Sequence, residues 1–399
     1  MMAGIDLVEL KTLKDFYALM AASREVRRRA VADLVGGRPV DGDITASLSN
    51  LLASLEAVEE IDGRKRLSLG GGRTIGLDMS YEIDEARKDI FYLEEGEETF
   101  LEMLGDFHPG FDDHVDRGRE LLRGVDLNCL VSDRDGTVNN YCARYLTSIQ
   151  SVYNAVFLTR FARAHVRRPV ILTSAPLDGL VRISVSPDGE FYYAASKGRE
   201  CLDREGGVRR LAISPEKQEA MDGLNARLTE LTGRPEYEKF TLIGSGLQFK
   251  FGQSTVARQD INGSIDKAES EGFLAVLESL TAELDPGARN FRIEDTGLDV
   301  EIILTVETEG EGLKDFDKGD GVKFLDSELG LSLADGASLI CGDTASDVPM
   351  LETALGLSPD ARAIFVTEKK ELAERVTGLT DAALIVPEPD MLVAILGTL

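Results

Sequence analysis

From about Leu7 to Leu34, and again from Ile44 to Ile61, apolar residues recur every three or four positions between charged ones, the spacing of amphipathic helices. Gly70-Gly71-Gly72 interrupts that spacing, which resumes from Tyr81 to Leu104 and from Asp113 to Leu122. A boundary is expected near Gly124, because the pattern then changes. Leu127-Asn128-Cys129-Leu130-Val131, Val170-Ile171-Leu172 and Ser338-Leu339-Ile340-Cys341 are short apolar runs of the kind that form parallel strands buried on both faces. Val181-Arg182-Ile183-Ser184-Val185 and Phe191-Tyr192-Tyr193-Ala194 alternate like two strands joined by a turn at Pro187-Asp188-Gly189. A helix is predicted from Pro215 to Leu231, then a strand-like stretch from Phe240 to Phe251 and a helix from Glu271 to Leu284. Asn290 to Glu294 and Asp299 to Val306 read as further strands. Core-type spacing returns at Lys318, with a helix through Leu329, a strand from Ala337 to Cys341 and a helix beginning near Asp347. These elements predict an α/β fold: a helical section over 1–123, a parallel-sheet core over 124–180 and 312–399, and an α+β module inserted over 181–311.

Each of the three apolar runs stops at a polar cluster. The clusters are Asp133-Arg134-Asp135-Gly136-Thr137, Thr173-Ser174, and Gly342-Asp343 with Asp347. Open α/β sheets bind ligands beyond the carboxyl ends of their strands, where all three clusters are expected. Phosphate-ester hydrolysis needs a nucleophile, a proton donor and positive charge. Asp133 is the candidate nucleophile, and Asp135 is the candidate acid that later activates water. Thr137 and Ser174 offer hydroxyls to phosphate oxygens, and Lys318 a fixed positive charge. Asp133, Asp135, Asp343 and Asp347 form an all-oxygen ligand set suited to Mg²⁺. A calcium loop of EF-hand type is excluded, because Val138 and Arg144 stand where it needs Gly and Glu.

Bulk composition narrows the partners. A net charge of -27 over 399 residues argues against binding to nucleic acid or anionic membrane. Four scattered cysteines without CxxC spacing read as reduced packing residues, and three histidines outside any metal spacing give little support to zinc chemistry. The start Met1-Met2-Ala3-Gly4-Ile5-Asp6 lacks the marks of a secretory signal, and no window is long enough to span a membrane, so a cytoplasmic protein is expected.

The ordered set of Asp133-Arg134-Asp135-Gly136-Thr137, Ser174, Lys318 and Gly342-Asp343 with Asp347 resembles the haloacid dehalogenase superfamily of phosphatases. The resemblance covers roughly Leu127 to the C-terminus and implies a Rossmann-like core with an αβ cap, as in the sugar-phosphatase branch. Within that branch the chain is most similar to the trehalose-6-phosphate phosphatases. Their cap motifs are matched approximately by Ser196-Lys197-Gly198-Arg199-Glu200, Phe249-Lys250-Phe251 and Glu301-Ile302. By that resemblance Lys197, Glu200, Lys250 and Glu301 contact sugar hydroxyls. Arg134 stands where the family more often has an apolar or aromatic residue, Ala175-Pro176 replaces a usual Gly-Arg, and the cap lacks the family's histidines. The implied activity is Mg²⁺-dependent hydrolysis of a sugar phosphate, foremost trehalose 6-phosphate. Other glycoside phosphates, a sugar-phosphate mutase and a non-catalytic sensor stand as alternatives, and the N-terminal helices as a candidate surface for self-association.

Overall fold

The computed structural model of the chain describes residues 4–305 and 316–399. The expected return from the inserted module to the core, at 311/312, and the end of the last expected cap strand at Val306 lie outside the described residues. The largest sheet has eight strands, in the order Ala383–Val386, Ala361–Val366, Ala337–Gly342, Leu127–Ser132, Val166–Leu172, Tyr192–Ala195, Glu200–Leu202 and Val208–Arg210. The first six run parallel, and each of the last two pairs antiparallel with the strand before it.

Leu127–Ser132 is buried throughout because it is central and covered on both faces. Cys129 and Val131 face the helices Lys318–Leu329 and Val348–Leu357, while Leu127 and Leu130 belong to the core formed with Val152–His165 and Pro389–Gly397. That double coverage is why the strands read as continuous apolar runs.

Two expectations change here. The alternation at Val181–Val185 is not a strand: Leu177–Ile183 is a helix, burying Leu177, Leu180 and Ile183 at a spacing of three. Its supposed hairpin partner, Tyr192–Ala195, pairs in parallel with Val166–Leu172, so residues 192–210 complete the large sheet instead of opening the inserted module. Five alternating residues fit either period, and the helical one wins because Leu177 and Leu180 extend it.

The inserted module has an antiparallel sheet in the order Phe291–Asp295, Asp299–Leu304, Gln253–Ala257, Leu247–Lys250. Its helices are Pro215–Thr232 and Lys267–Leu284. The expected strand from Phe240 begins only at Leu247, because Glu238–Thr241 is a 3₁₀ turn and Gly244 and Gly246 bend the chain after it.

The N-terminal section holds the helices Leu13–Val35, Gly42–Glu56, Ser80–Phe107 and Phe111–Leu122. Thr12 and Asp15 form a capping box at the first. Glu60–Ile61, Arg64–Gly70 and Arg73–Leu77 form a small antiparallel sheet whose last hairpin turns at the Gly71-Gly72 break. This section packs on the core through Asp89, which is held within the section by a buried ion pair to Arg27 at 2.5 Å and accepts from the Val152 N–H at the start of a core helix. It reaches the inserted module through two exposed ion pairs, Lys14 to Glu238 at 2.5 Å and Arg73 to Glu269 at 2.6 Å, and through the half-buried Tyr17 hydroxyl, which donates to the Leu242 carbonyl at 2.9 Å.

Candidate active site

Two neighbouring parallel strands end side by side, and the site grows from their ends. Asp133 follows Leu127–Ser132, and its N–H donates to the Cys341 carbonyl of the adjacent strand at 2.9 Å. Asp343 follows that strand. Gly136 takes a positive φ of 85° in the turn between them, and a Cβ there would lie 2.3 Å from Asp343 Oδ2. Only glycine lets the turn approach this closely.

Asp347 immediately precedes the helix Val348–Leu357, and its Oδ2 accepts from the Asp343 and Thr344 N–H groups at 3.2 and 2.9 Å. Lys318 opens the helix Lys318–Leu329, whose start is fixed by a capping box of Asp317 and Asp320. Its buried Nζ lies 2.5 Å from Asp133 Oδ1 and 2.5 Å from Asp347 Oδ1. Carboxylate oxygens of Asp133, Asp343 and Asp347 lie within 4.8 Å of one another. Thr137 Oγ1 sits 3.3 Å from both Asp133 Oδ2 and Asp343 Oδ1, so its hydroxyl is shared by carboxylates.

Burial and the adjacent charges govern these groups. Burial pushes Asp133 up to about 6 against the opposing pull of Lys318. Asp343 is pushed up to about 8 by burial and by the charges of Asp133 and Asp347. Burial also acts on Asp347, but Lys318 and the bonds from Thr344 hold it below the usual carboxylate range. Lys318 is held well above its ordinary value, because the two carboxylates outweigh its burial. Three carboxylates facing one ammonium form an electron-rich, all-oxygen cluster that a hard divalent cation fits.

Asp135, expected as a fourth metal ligand, is not in this cluster. Its carboxylate accepts from Arg134 and from Ser148 Oγ, the latter at 2.9 Å. Ser174 lies at the same sheet rim, half-buried, just past the strand that neighbours Asp133.

The cap residues divide. Lys197 and Glu200 belong to the large sheet, not the inserted module. Lys197 sits at φ 62° in the turn after Tyr192–Ala195, and Glu200 is buried, accepting from Ser196 Oγ at 3.0 Å and pairing with Arg210 at 3.4 Å. Lys250 and Glu301 do lie in the inserted sheet. Burial lowers Lys250, with Glu301 and Asp299 raising it and Lys197 and Arg199 adding to the fall, so the two sides meet at one seam. The seam is tied by the Phe251 N–H, which donates to Ser196 Oγ at 2.8 Å.

The sequence reading missed the rest of that sheet's polar face. Register aligns Gln248, Thr255 and Glu301 in one row and Lys250 with Gln253 in the next. Ser254 faces the opposite way and donates to Asn225 of the helix Pro215–Thr232 at 2.7 Å. The alternation Leu247-Gln248-Phe249-Lys250 carried the signal, but the pairing that lines up the rows joins segments some fifty residues apart. Two cavities open between the inserted module and the rest of the chain. One, of about 260 Å³, is lined by Glu200, Arg210, Asp222 and Lys250, and the other, of about 250 Å³, by Asp135, Tyr141, Ser148, Asn262 and Asp299.

The family model described as trehalose-6-phosphate phosphatase, C-terminal, matches residues 130–392, and the trehalose-6-phosphate phosphatase N-terminal helical bundle domain matches residues 12–110. Alpha,alpha-trehalose-phosphate synthase (UDP-forming) 2 of Caenorhabditis elegans is 31% identical over 93% of this chain and 32% of its own length. A trehalose-phosphatase of Brugia malayi is 30% identical over 93% of this chain and 82% of its own. A solved structure described as a trehalose-6-phosphate phosphatase related protein is similar over 68% of this chain and 96% of its own, at 15% identity and a TM-score of 0.44. The chain thus spans about a third of the length of the synthase relatives it matches. With both family models matched in order along one polypeptide, the chain belongs to the trehalose-6-phosphate phosphatase family.

Proposed function

We propose that the chain hydrolyses trehalose 6-phosphate to trehalose and phosphate, in the cytosol, with Mg²⁺ and through an aspartyl-phosphate at Asp133. The observation that carries this reading is Lys318 bridging Asp133 and Asp347 at 2.5 Å each, with Asp343 in the same cluster, in a chain of this family. Asp133, Asp343 and Asp347 would hold the ion, which when bound offsets the charge on the phosphoryl oxygens.

In the first step an Asp133 oxygen forms a bond to phosphorus while the bond from phosphorus to the sugar oxygen breaks. Asp135 gives its proton to that oxygen. In the second step water attacks phosphorus and gives a proton back to Asp135 as the Asp133–phosphorus bond breaks, releasing inorganic phosphate. Lys318 keeps Asp133 aligned and limits its repulsion from Asp347. Thr137 orients the Asp133 carboxylate, and Ser174 at the rim offers its hydroxyl to phosphate. The polar face of Gln248, Lys250, Gln253, Thr255 and Glu301, together with Lys197 at the rim, is the surface that selects the sugar. Four unpaired cysteines suit a reducing compartment, and no helix among the described residues is long and apolar enough to cross a membrane.

A panel of phosphorylated sugars assayed with Mg²⁺ and with chelator tests the reading. Phosphate should be released fastest from trehalose 6-phosphate, in step with sugar consumed, and not at all in chelator. Faster turnover of another glycoside phosphate, isomerised sugar without free phosphate, or undiminished activity in chelator would contradict it.

A further inference from the structure

We infer that Arg134 and Ser148 are positioning residues that hold the Asp135 carboxyl at the leaving-alcohol side of the cleft. The inference rests on the reading of Asp135 as proton donor and deepens it. Asp135 is two residues from Asp133, yet its carboxylate turns away from the three-carboxylate cluster. What turns it is a closed set of bonds. Arg134 Nη1 donates to Asp135 and, at 2.7 Å, to Ser148 Oγ, which itself donates to Asp135 Oδ1 at 2.9 Å. Arg134 Nη2 donates to the Ser148 carbonyl.

Arg134 is 4% exposed, and burying a guanidinium is costly unless its partners are fixed. They are fixed here: Ser148 follows the 3₁₀ turn Tyr145–Thr147, donates its N–H to the Tyr145 carbonyl at 3.2 Å, and shortly precedes the helix Val152–His165. The held carboxyl lines the cavity of about 250 Å³ shared with Tyr141, Asn262 and Asp299. That cavity gives an alcohol room beside the proton donor while Asp133 faces phosphorus. An apolar side chain at position 134 could fill the space but could not grip the carboxylate.

The test compares kcat/KM of the full chain with Mg²⁺ on trehalose 6-phosphate, whose alkoxide needs a proton to leave, and on p-nitrophenyl phosphate, whose phenolate does not. Asp135→Asn should lower the alkyl-to-aryl ratio by about 10²-fold or more, the scale of lost acid catalysis. Arg134→Leu should lower the ratio about tenfold or more and Ser148→Ala by a smaller factor in the same direction, with Arg134→Lys recovering part of the loss. A general structural defect lowers both substrates together and leaves the ratio unchanged. If Arg134→Leu does not fold, Ser148→Ala and Arg134→Lys decide by the same ratio. A wild-type ratio in the folded position-134 and Ser148→Ala variants, beside a collapsed ratio in Asp135→Asn, overturns the positioning role alone. A wild-type ratio in Asp135→Asn overturns the proton-donor reading and this inference with it.

Discussion

Lys318 pairs with Asp133 and Asp347, which leaves Asp343 beside two negative charges without a direct share of that ammonium. Replacing it by Asn should therefore relieve repulsion. In chelator, Asp343→Asn is expected to melt above the wild type. Mg²⁺ should raise the wild-type melting temperature, by the equivalent of about 2.7 kcal/mol at a hundred times its dissociation constant, and leave the variant unmoved. A thermal melt with and without the ion checks both, and equal Mg²⁺ stabilisation of the two proteins would count against the ligand set. At this scale the sequence was informative about identity and silent about company. Asp133, Asp343, Asp347 and Lys318 announced themselves because each follows or opens a core element. The partners of Asp135 did not, because Ser148 lies thirteen residues further along in an irregular loop, where no periodicity links it to a carboxylate.

Asp390, buried in the first turn of the helix Pro389–Gly397, joins the N-terminal section to the core. It accepts from Lys88 at 2.6 Å, His108 at 3.0 Å, Asn140 at 2.8 Å and Tyr153 at 2.5 Å. Burial works against its charge, but Lys88, His108 and Tyr153 hold it far below the usual carboxylate range. A depressed folded value means that the stabilisation is complete above the ordinary carboxylate range and drains away as pH falls below it toward the folded value. Asp390→Asn should thus cost about 3 kcal/mol at pH 7, and chemical denaturation should show the gap to wild type narrowing below about pH 4. A gap that stays constant to pH 2 would refute the assignment.

A second element-scale contact sets Lys318 itself. Gly198 and Gly321 meet backbone to backbone: a Cβ at Gly321 would lie 2.1 Å from the Lys197 carbonyl oxygen, and one at Gly198 2.7 Å from Gly321 Cα. Gly321→Ala must push the Lys318 helix off the rim. A loss of about 1–3 kcal/mol in a melt is expected, together with lower phosphate release. Elements buried on two faces, such as Leu127–Ser132, were readable because a short apolar run that stops at a polar cluster fits a central parallel strand. Leu177–Ile183 and the small sheet at 60–77 were not, since short segments satisfy more than one period and their neighbours decide.

Across the whole molecule, the N-terminal section touches both of the other parts. The N-terminal section meets the core through the bonds of Asp89 and Asp390, and meets the inserted module through exposed pairs such as Lys14 to Glu238 and Arg73 to Glu269 and through the half-buried Tyr17 hydroxyl on Leu242. Exposed pairs contribute little each and are screened by salt. The three carboxylates and their lysine draw nothing from the inserted module: Asp133, Asp343, Asp347 and Lys318 all stand on the core. The order of core, insertion and core was legible because the apolar runs and their polar ends recur on both sides of it. Its boundary was not, because the sheet recruits residues 192–210 beyond the point where alternation weakens.

The proposed chemistry depends on Asp133 as the atom donor to phosphorus. Phosphate release from trehalose 6-phosphate by Asp133→Asn, with Mg²⁺ present and folding checked by its melt, is predicted to fall by at least about 10³-fold. A folded variant turning over within tenfold of the wild type would contradict it.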